Sequence, residues 1–392
     1  MNGAGEAVEK PMGPSPSSGS SLIDRLFALR DRLVASDRFR QWAAAFPLTR
    51  PLARKSARDL FDICAGFVYS QVLFACVRLR LFDILAEGPQ TVPALARRLD
   101  LPLDSTDRLL RAGAALGLFA ERAGGRFALG QLGAAMLGNP GIAAMVEHHA
   151  MLYADLADPV ALLRQGGGRD GAATTLGGFW PYAVGDDPKA LTPDRVAPYT
   201  ALMAASQPMV AAEVLATYPV GRHRCVMDVG GGNGTFLSAV ADRAPHLRLM
   251  LFDLPAVAER AKARFAELGL ADRTSFHGGD FFADPLPTGA DLITLVRIVH
   301  DHDDTSVLTL LRSIRRALPP DGTLLIAEPL SGTRGAEPVG DAYFGFYLLA
   351  MGSGRARTAG EIGDLLSAAG FGRIKAIPTH TPLVASLITA RP

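Results

Sequence analysis

The chain has 392 residues, 48% of them hydrophobic and 20% charged, enough apolar material for two folded domains and too much for a disordered protein. Forty Lys and Arg against 39 Asp and Glu leave a formal charge of +1, without the basic excess a dedicated nucleic-acid binder needs to meet phosphates. Cys64, Cys76 and Cys225 are too few and too scattered for a disulfide scaffold or a zinc finger, so a reducing cytoplasm is expected.

Residues 1–20 are rich in Gly, Pro and Ser and lack the apolar core of a signal peptide; a disordered tail is expected. Residues 21–56 form a basic amphipathic segment. From Leu22 to Arg58 nine basic residues face three acidic ones, interleaved with Leu26, Phe27, Leu33, Phe39, Trp42 and Phe46. Such a helix packs on its own domain or on a second subunit, or rests peripherally on an anionic membrane. The apolar stretch Ile63–Val77 is short of the ~20 residues of a bilayer span and contains Gly66, Ser70 and Gln71.

Residues 57–165 read as a mainly helical domain. Apolar residues recur at helical spacing over Ala57–Leu85, in a short pattern from Thr91 to Leu99, and over Ser105–Leu118. A small hairpin follows, pairing Phe119–Ala120 with Arg126–Leu129 around Gly124 and Gly125. Helices followed by a two-stranded wing make a winged helix. Only Arg108 and Arg111 on the second helix, and Arg122 and Arg126 on the wing, could meet DNA, so a dimerisation module is the expectation. Residues 166–217 are a Gly- and Pro-dense connection, with Phe179, Trp180 and Tyr182 placed to fold over a site, then a helix from Pro198 to about Thr217.

From Arg224 short apolar strands alternate with helices. Cys225–Val229, Leu247–Phe252, Thr274–His277, Leu292–Val299 and Thr323–Ala327 predict a doubly wound α/β domain, residues 218–392, with a mostly parallel sheet. Gly372–Ile377 and Leu383–Thr389 flank a short polar turn, so the last strand is expected to run antiparallel.

The first strand leads into Asp228-Val229-Gly230-Gly231-Gly232-Asn233-Gly234, where Gly230, Gly232 and Gly234 allow a tight turn and close approach to a ligand. Thr235 breaks the dinucleotide fingerprint and no Lys-Ser/Thr pair follows, which favours a nucleoside lacking a pyrophosphate. Asp228 could receive an ammonium group on that nucleoside. Asp253 ends the second strand, where a carboxylate can accept both ribose hydroxyls; Asp280 ends the third, with Phe281 or Phe282 to cover an adenine ring. Leu254 and Arg297 complete the cofactor-binding candidates. Past the fourth strand, His300-Asp301-His302-Asp303-Asp304 offers two readings: His300 as a general base, or His300 and His302 as metal ligands; no metal is expected, since Thr305 stands where a hydrolase pattern wants histidine. Glu328 ends the fifth strand, on the same sheet edge, where it can fix the tautomer of His300. Tyr343, Phe344, Tyr347 and Met351, with Phe179 and Trp180, form a candidate apolar substrate pocket. His148, His149, His223 and His246 read as structural.

With these motifs the chain from about Ala57 onward resembles the plant-type, S-adenosylmethionine-dependent O-methyltransferases. DVGGGNG at 228–234, FDLP at 252–255 and GDFF at 279–282 match that family's glycine, ribose and adenine segments. His300-Asp301 matches the pair whose histidine is its base, with His302 in place of the usual tryptophan, and Glu328 matches one of two flanking acids. Gly354-Arg355-Ala356-Arg357-Thr358 resembles its Gly-Arg-Glu-Arg-Thr signature. The second acid falls at Ala359, so the resemblance implies a histidine less fully braced than in phenol-methylating members, with Glu361 too far along to substitute. It implies S-adenosyl-L-methionine as cofactor, a catalytic set of His300, Glu328 and Asp301, and a homodimer made by the N-terminal domain. The segments FRQWAAAFPLTRP and FDICAGFVYSQVLFACVRLRLFDIL resemble a bacterial branch that methylates the 1-hydroxy group of acyclic carotenoids of the hydroxyneurosporene and demethylspheroidene type. The alternatives are a bacteriochlorophyll precursor or a phenol as acceptor, and, from another class, a winged-helix regulator that senses a nucleoside.

Overall fold

A computed structural model describes residues 22–169, 173–180 and 193–392, with only the backbone for 193–200. The expected tail at 1–20 and Tyr182 lie outside the described residues. The chain divides into two compact units, 1–72 and 73–392. The first contains α1 (Leu22–Ala35), α2 (Asp37–Ala45) and most of α3 (Arg50–Arg78). Ser36 alone separates α1 from α2.

Helix α3 corrects the reading of its apolar stretch. Gly66, Ser70 and Gln71 sit inside an unbroken helix of 29 residues, and its most apolar 18-residue window reaches a mean hydropathy of 1.8. By length and composition it could cross a bilayer. The helical run predicted to Leu85 breaks at Arg80, whose φ of 53° starts α4 (Leu81–Ala86).

In the second unit, β1 (Gln90–Thr91), α5 (Val92–Leu99), α6 (Leu103–Ala115), β2 (Phe119–Arg122) and β3 (Arg126–Leu129) form the winged helix. Thr91 caps α5 by accepting from the N–H of Ala94. The wing has a third strand, since β1 pairs with β3; two residues are too few to carry a strand period, so the sequence hid it. There follow α7 (Gln131–Met136), α8 (Pro140–Asp155), α9 (Pro159–Arg164), α10 (Thr175–Phe179) and α11 (Pro193–Thr217). The last of these starts before Pro198, which it absorbs near its N-terminus.

The remaining chain folds as β4 (Cys225–Val229), α12 (Thr235–Arg243), β5 (Arg248–Asp253), α13 (Pro255–Glu267), β6 (Thr274–Gly278), β7 (Leu292–Val296), α14 (Asp304–Ala317), β8 (Thr323–Glu328), a π-helical turn at Val339–Phe344, α15 (Gly345–Met351), α16 (Ala359–Ala368), β9 (Gly372–Ile377) and β10 (Ser386–Arg391). The sheet order is β6-β5-β4-β7-β8-β10-β9. β4 to β8 are parallel and β10 runs antiparallel to both neighbours. All five residues of β4 are buried, because helices cover both faces of the sheet. Met227 and Val229 pack with Leu310, Ile314 and Leu366 on one side; Val226 packs with Phe236, Leu237 and Leu251 on the other. Chain order reverses between β4 and β7, which opens a crevice at their carboxyl ends.

At the opposite edge Asp291 joins the strand starts. Its carboxylate accepts from the N–H of Cys225 at 2.7 Å and of Arg224 at 3.0 Å, and its carbonyl accepts from Thr323. Burial alone would raise its pKa, but those N–H bonds outweigh it and hold the carboxyl below the usual range. Its contribution is therefore complete above the ordinary carboxylate pKa and fades as pH falls through the lowered value. Asp291→Ala should cost about 1–3 kcal/mol in urea unfolding at neutral pH, with the gap to wild type narrowing in acid. A gap that stays constant with pH would refute this role.

Candidate active site

After β4 the backbone turns through positive φ at Gly230 (70°) and Gly234 (77°). A Cβ at Gly230 would meet Ile298 Cδ1 at 2.4 Å, and one at Gly234 would meet Phe265 Cε2 at 2.3 Å. Both conformation and space demand glycine there. The turn borders a cavity of about 350 Å³ whose wall includes Gly230, Gly232, Asp253, Leu254, Asp280, Phe281, Arg297, Asp301 and Trp180.

Asp253 is fixed by the backbone it faces. One carboxylate oxygen accepts from Gly232 N–H and the other from Leu254 N–H, both at 2.7 Å. Burial nonetheless pushes its pKa up to about 6. Each oxygen keeps a further lone pair, so the carboxylate can accept from both hydroxyls of a ribose diol. Asp280 accepts from Phe282 N–H at 2.8 Å, and Phe281 and Phe282 stand edge to face with His302 at 5.6 and 4.9 Å. His302 is thus an aromatic neighbour of the two phenylalanines, with its pKa lowered chiefly by burial. Among the described residues no group of three or more His, Cys, Asp or Glu could hold a metal ion.

Two expected cofactor residues sit differently. Asp228 is 2% exposed and absent from the cavity wall; it accepts from Thr294 Oγ1 at 2.6 Å, and burial pushes it up to about 7. It is too enclosed to meet an ammonium group directly. Gly234 likewise stands outside the wall, at the N-cap of α12. Arg297 lines the cavity in a left-handed conformation (φ 58°), with its guanidinium donating to Ser206 Oγ at 2.9 Å and lying 3.0 Å from Met203 Sδ, both on α11.

His300 stands in a single turn of 3₁₀ helix after β7, its side chain 11% exposed. Its Nδ1 is 2.5 Å from Glu328 Oε2, and its Nε2 is 3.1 Å from Asp301 Oδ1. Burial opposes protonation, but the charges of Asp301 and Glu328 prevail and raise the pKa of His300. The histidine expected to be thinly braced therefore has a second carboxylate after all, supplied by the next residue in the chain. Glu361 serves elsewhere: it forms a capping box with Thr358 and pairs with Arg355, while Ala359 is the first residue of α16.

The 354–358 signature supports the His300 turn. Arg357 is 2% exposed; its guanidinium donates to the carbonyls of Val299 and His302 at 2.7 Å and to Asp304 at 2.8 Å. Arg355 N–H donates to the His300 carbonyl at 2.9 Å. A Cβ on Gly354 would lie 2.1 Å from that carbonyl oxygen, so only glycine admits the approach. Arg357 is a positioning residue absent from the sequence-derived set, although its signature was visible.

The expected substrate-pocket residues form one cluster with Leu152, Leu162 and Leu176: Phe179, Trp180, Tyr343, Phe344, Tyr347 and Met351. Only Trp180 of these six is part of the cavity wall. Phe344 stands edge to face with His300 at 5.3 Å. Trp180 Nε1 donates to Tyr347 Oη at 3.2 Å, and that hydroxyl is 2.7 Å from His148 Nε2; His149 Nε2 is 2.8 Å from Tyr343 Oη. Burial depresses both histidines, His148 to about 4. These histidines, read as structural, join the aromatic cluster from α8, nearly two hundred residues away in sequence, which hid the pairing.

The O-methyltransferase domain profile matches residues 153–372, and the O-methyltransferase dimerisation domain profile matches residues 61–139. The chain is 46% identical over 375 residues to the demethylspheroidene O-methyltransferase of Cereibacter sphaeroides, covering 96% of this chain and 97% of that one. It is 42% identical over 387 residues to the enzyme of that name from Rhodobacter capsulatus, covering 97% and 94%. The crystal structure of human N-acetylserotonin methyltransferase in complex with S-adenosylmethionine superposes with a TM-score of 0.70 at 26% identity, over 86% of this chain and 97% of that one. The glycine turn, the oriented Asp253 and a cavity of this size fit the same nucleoside, and the chain belongs to the S-adenosylmethionine-dependent O-methyltransferases, with a helical dimerisation domain ahead of the methyltransferase sheet.

Proposed function

We propose that the protein methylates the 1-hydroxy group of an acyclic carotenoid of the demethylspheroidene type, with His300 as general base. The observation that carries the reaction is the His300–Glu328 pair at 2.5 Å, which stands behind the cavity wall in a turn whose Ile298, Asp301 and His302 line it; the acceptor class rests on the two demethylspheroidene relatives. The dimerisation-domain match supports a homodimer formed through the N-terminal domain. The cysteine content favours the cytoplasm, and an apolar acceptor favours work at a membrane surface.

S-adenosylmethionine, when bound, would supply an electrophilic methyl group, its methyl–sulfur bond breaking to leave a neutral thioether as the new carbon–oxygen bond forms. Gly230, Gly232, Asp253, Leu254, Asp280, Phe281 and Arg297 would line its place, with Asp253 accepting from the ribose hydroxyls. An aliphatic alcohol has a pKa near that of water, ~16, against ~6.5 for histidine, so full ionisation beforehand would cost about 13 kcal/mol. His300 instead takes the proton as the carbon–oxygen bond forms and the hydroxyl acidifies. Glu328 accepts Nδ1–H, which leaves the Nε2 lone pair for the hydroxyl. Asp301, opposite Nε2, holds the protonated form and must release it before Nε2 can accept. The aromatic cluster beside Phe344 excludes water from the acceptor.

The direct test is a labelled methyl donor offered with a hydroxylated acyclic carotenoid, a chlorin and a phenol. Label should enter the carotenoid; label confined to the phenol or the chlorin would overturn the acceptor class. His300→Ala should lower kcat by about 10³-fold or more, while titration calorimetry shows nucleoside affinity held within about twofold. Asp253→Ala should do the reverse, weakening the nucleoside by about tenfold or more.

Because the imidazolium is favoured, the acid limb of kcat should lie above the ordinary histidine pKa. Asp301→Asn removes one stabilising charge, so that limb should move to lower pH. A pH–rate profile that does not move, or that moves upward, would remove Asp301 from the proton path.

A further inference from the structure

The structure points to a second working surface, built from residues that take no part in the methyl-transfer chemistry. We infer that α1 and α2 are a lipid-docking arm that seats the protein on an anionic bilayer. This deepens the carotenoid reading by naming the surface from which an apolar acceptor is drawn.

No residue of α1 is buried, and of α2 only Ala43 is. On α1, Leu22, Ile23, Leu26, Phe27, Leu29, Leu33 and Val34 are each between 43% and 78% exposed. At 100° per residue they share an arc of about 160°, an amphipathic face rather than scattered apolar residues. Arg25 and Arg32 border one edge of that arc, and Arg30, within it, lies over the Phe27 ring at 4.9 Å. On α2 the rings of Phe39, Trp42 and Phe46 form a row with centroid spacings of 5.7 and 5.2 Å, beside Arg38 and Arg40. Trp42 remains 52% exposed and Phe46 40%. Apolar side chains, an aromatic row at their edge and arginines beside both make the pattern of a helix lying in the headgroup plane.

Charge selects the occupant. Between Leu22 and Arg58 nine basic side chains outnumber three acidic ones, and Arg30 and Arg40 each pair with a neighbouring aspartate. The positive excess suits anionic headgroups and opposes a second copy of the same arm. The region matching the dimerisation domain begins only at residue 61, and it carries its own exposed apolar residues, Phe61, Ile63, Phe67 and Val68. The superposed human methyltransferase is covered over 97% of its length by 86% of this chain, so this chain carries length that enzyme lacks, whereas the C. sphaeroides relative matches 96% of it.

The test uses the full chain with vesicles of phosphatidylcholine, alone or with about 30% phosphatidylglycerol. Trp42 and Trp180 are the two tryptophans, and Trp180 is 3% exposed, so a blue shift on vesicle addition reports Trp42. The wild type should sediment with anionic vesicles, show that shift, and lose both at high salt. Leu26→Asp with Phe27→Asp, and separately Arg25→Glu with Arg32→Glu, should each cut the bound fraction by about tenfold, with circular dichroism and nucleoside binding unchanged. Methyl transfer should fall by a similar factor for vesicle-held acceptor and stay at the wild-type rate for detergent-dispersed acceptor. Sedimentation equal for wild type and both variants, no binding to anionic vesicles, or a variant that only converts dimer to monomer in light scattering would each overturn the arm. Vesicle binding as described without transfer to any carotenoid would leave the arm standing and refute the acceptor.

Discussion

The active site hangs on one carboxylate. Glu328 ends its strand 1% exposed, and its two oxygens do different work. Oε1 accepts from the N–H groups of Ile298 and Val299 at 2.8 and 2.6 Å, and Oε2 faces His300 Nδ1. A buried anion is costly unless its hydrogen bonds are made, and here the peptide chain makes them. Fixing the backbone of 298–299 fixes where the next residue stands, so position and tautomer of His300 come from the same group. Arg357 completes the turn from the other side by holding the carbonyls of Val299 and His302.

How much of this was legible in the sequence follows from the range over which each signal acts. Alternating strands and helices are local patterns, so the parallel sheet and its antiparallel end could be read, as could the glycine turn and the acids at strand ends. Strand limits were less readable: Leu292–Val299 was expected, but β7 stops at Val296, because Arg297 takes a left-handed φ and aims the chain into the His300 turn. Local propensity carries no hint of that.

Features that depend on distant partners stayed hidden. Asp228 looked like a ligand-facing acid because it adjoins the glycines, but its hydrogen bond to Thr294 is made across strands and turns it inward. The resemblance names Asp301 beside His300, but its place 3.1 Å from Nε2 depends on the turn between them. The pairing of His148 and His149 with Tyr347 and Tyr343 requires α8 to pack against the π-helical turn and α15. A resemblance located the 354–358 signature; only the packing explains it, as a brace for the catalytic turn.

The hydrogen bond from Gly232 to Asp253 has a consequence for ligand capture. The same carboxylate that faces the sugar site also pins the glycine turn, so the turn meets its ligand already in shape. Little ordering entropy is then left to subtract from affinity at that end of the cleft.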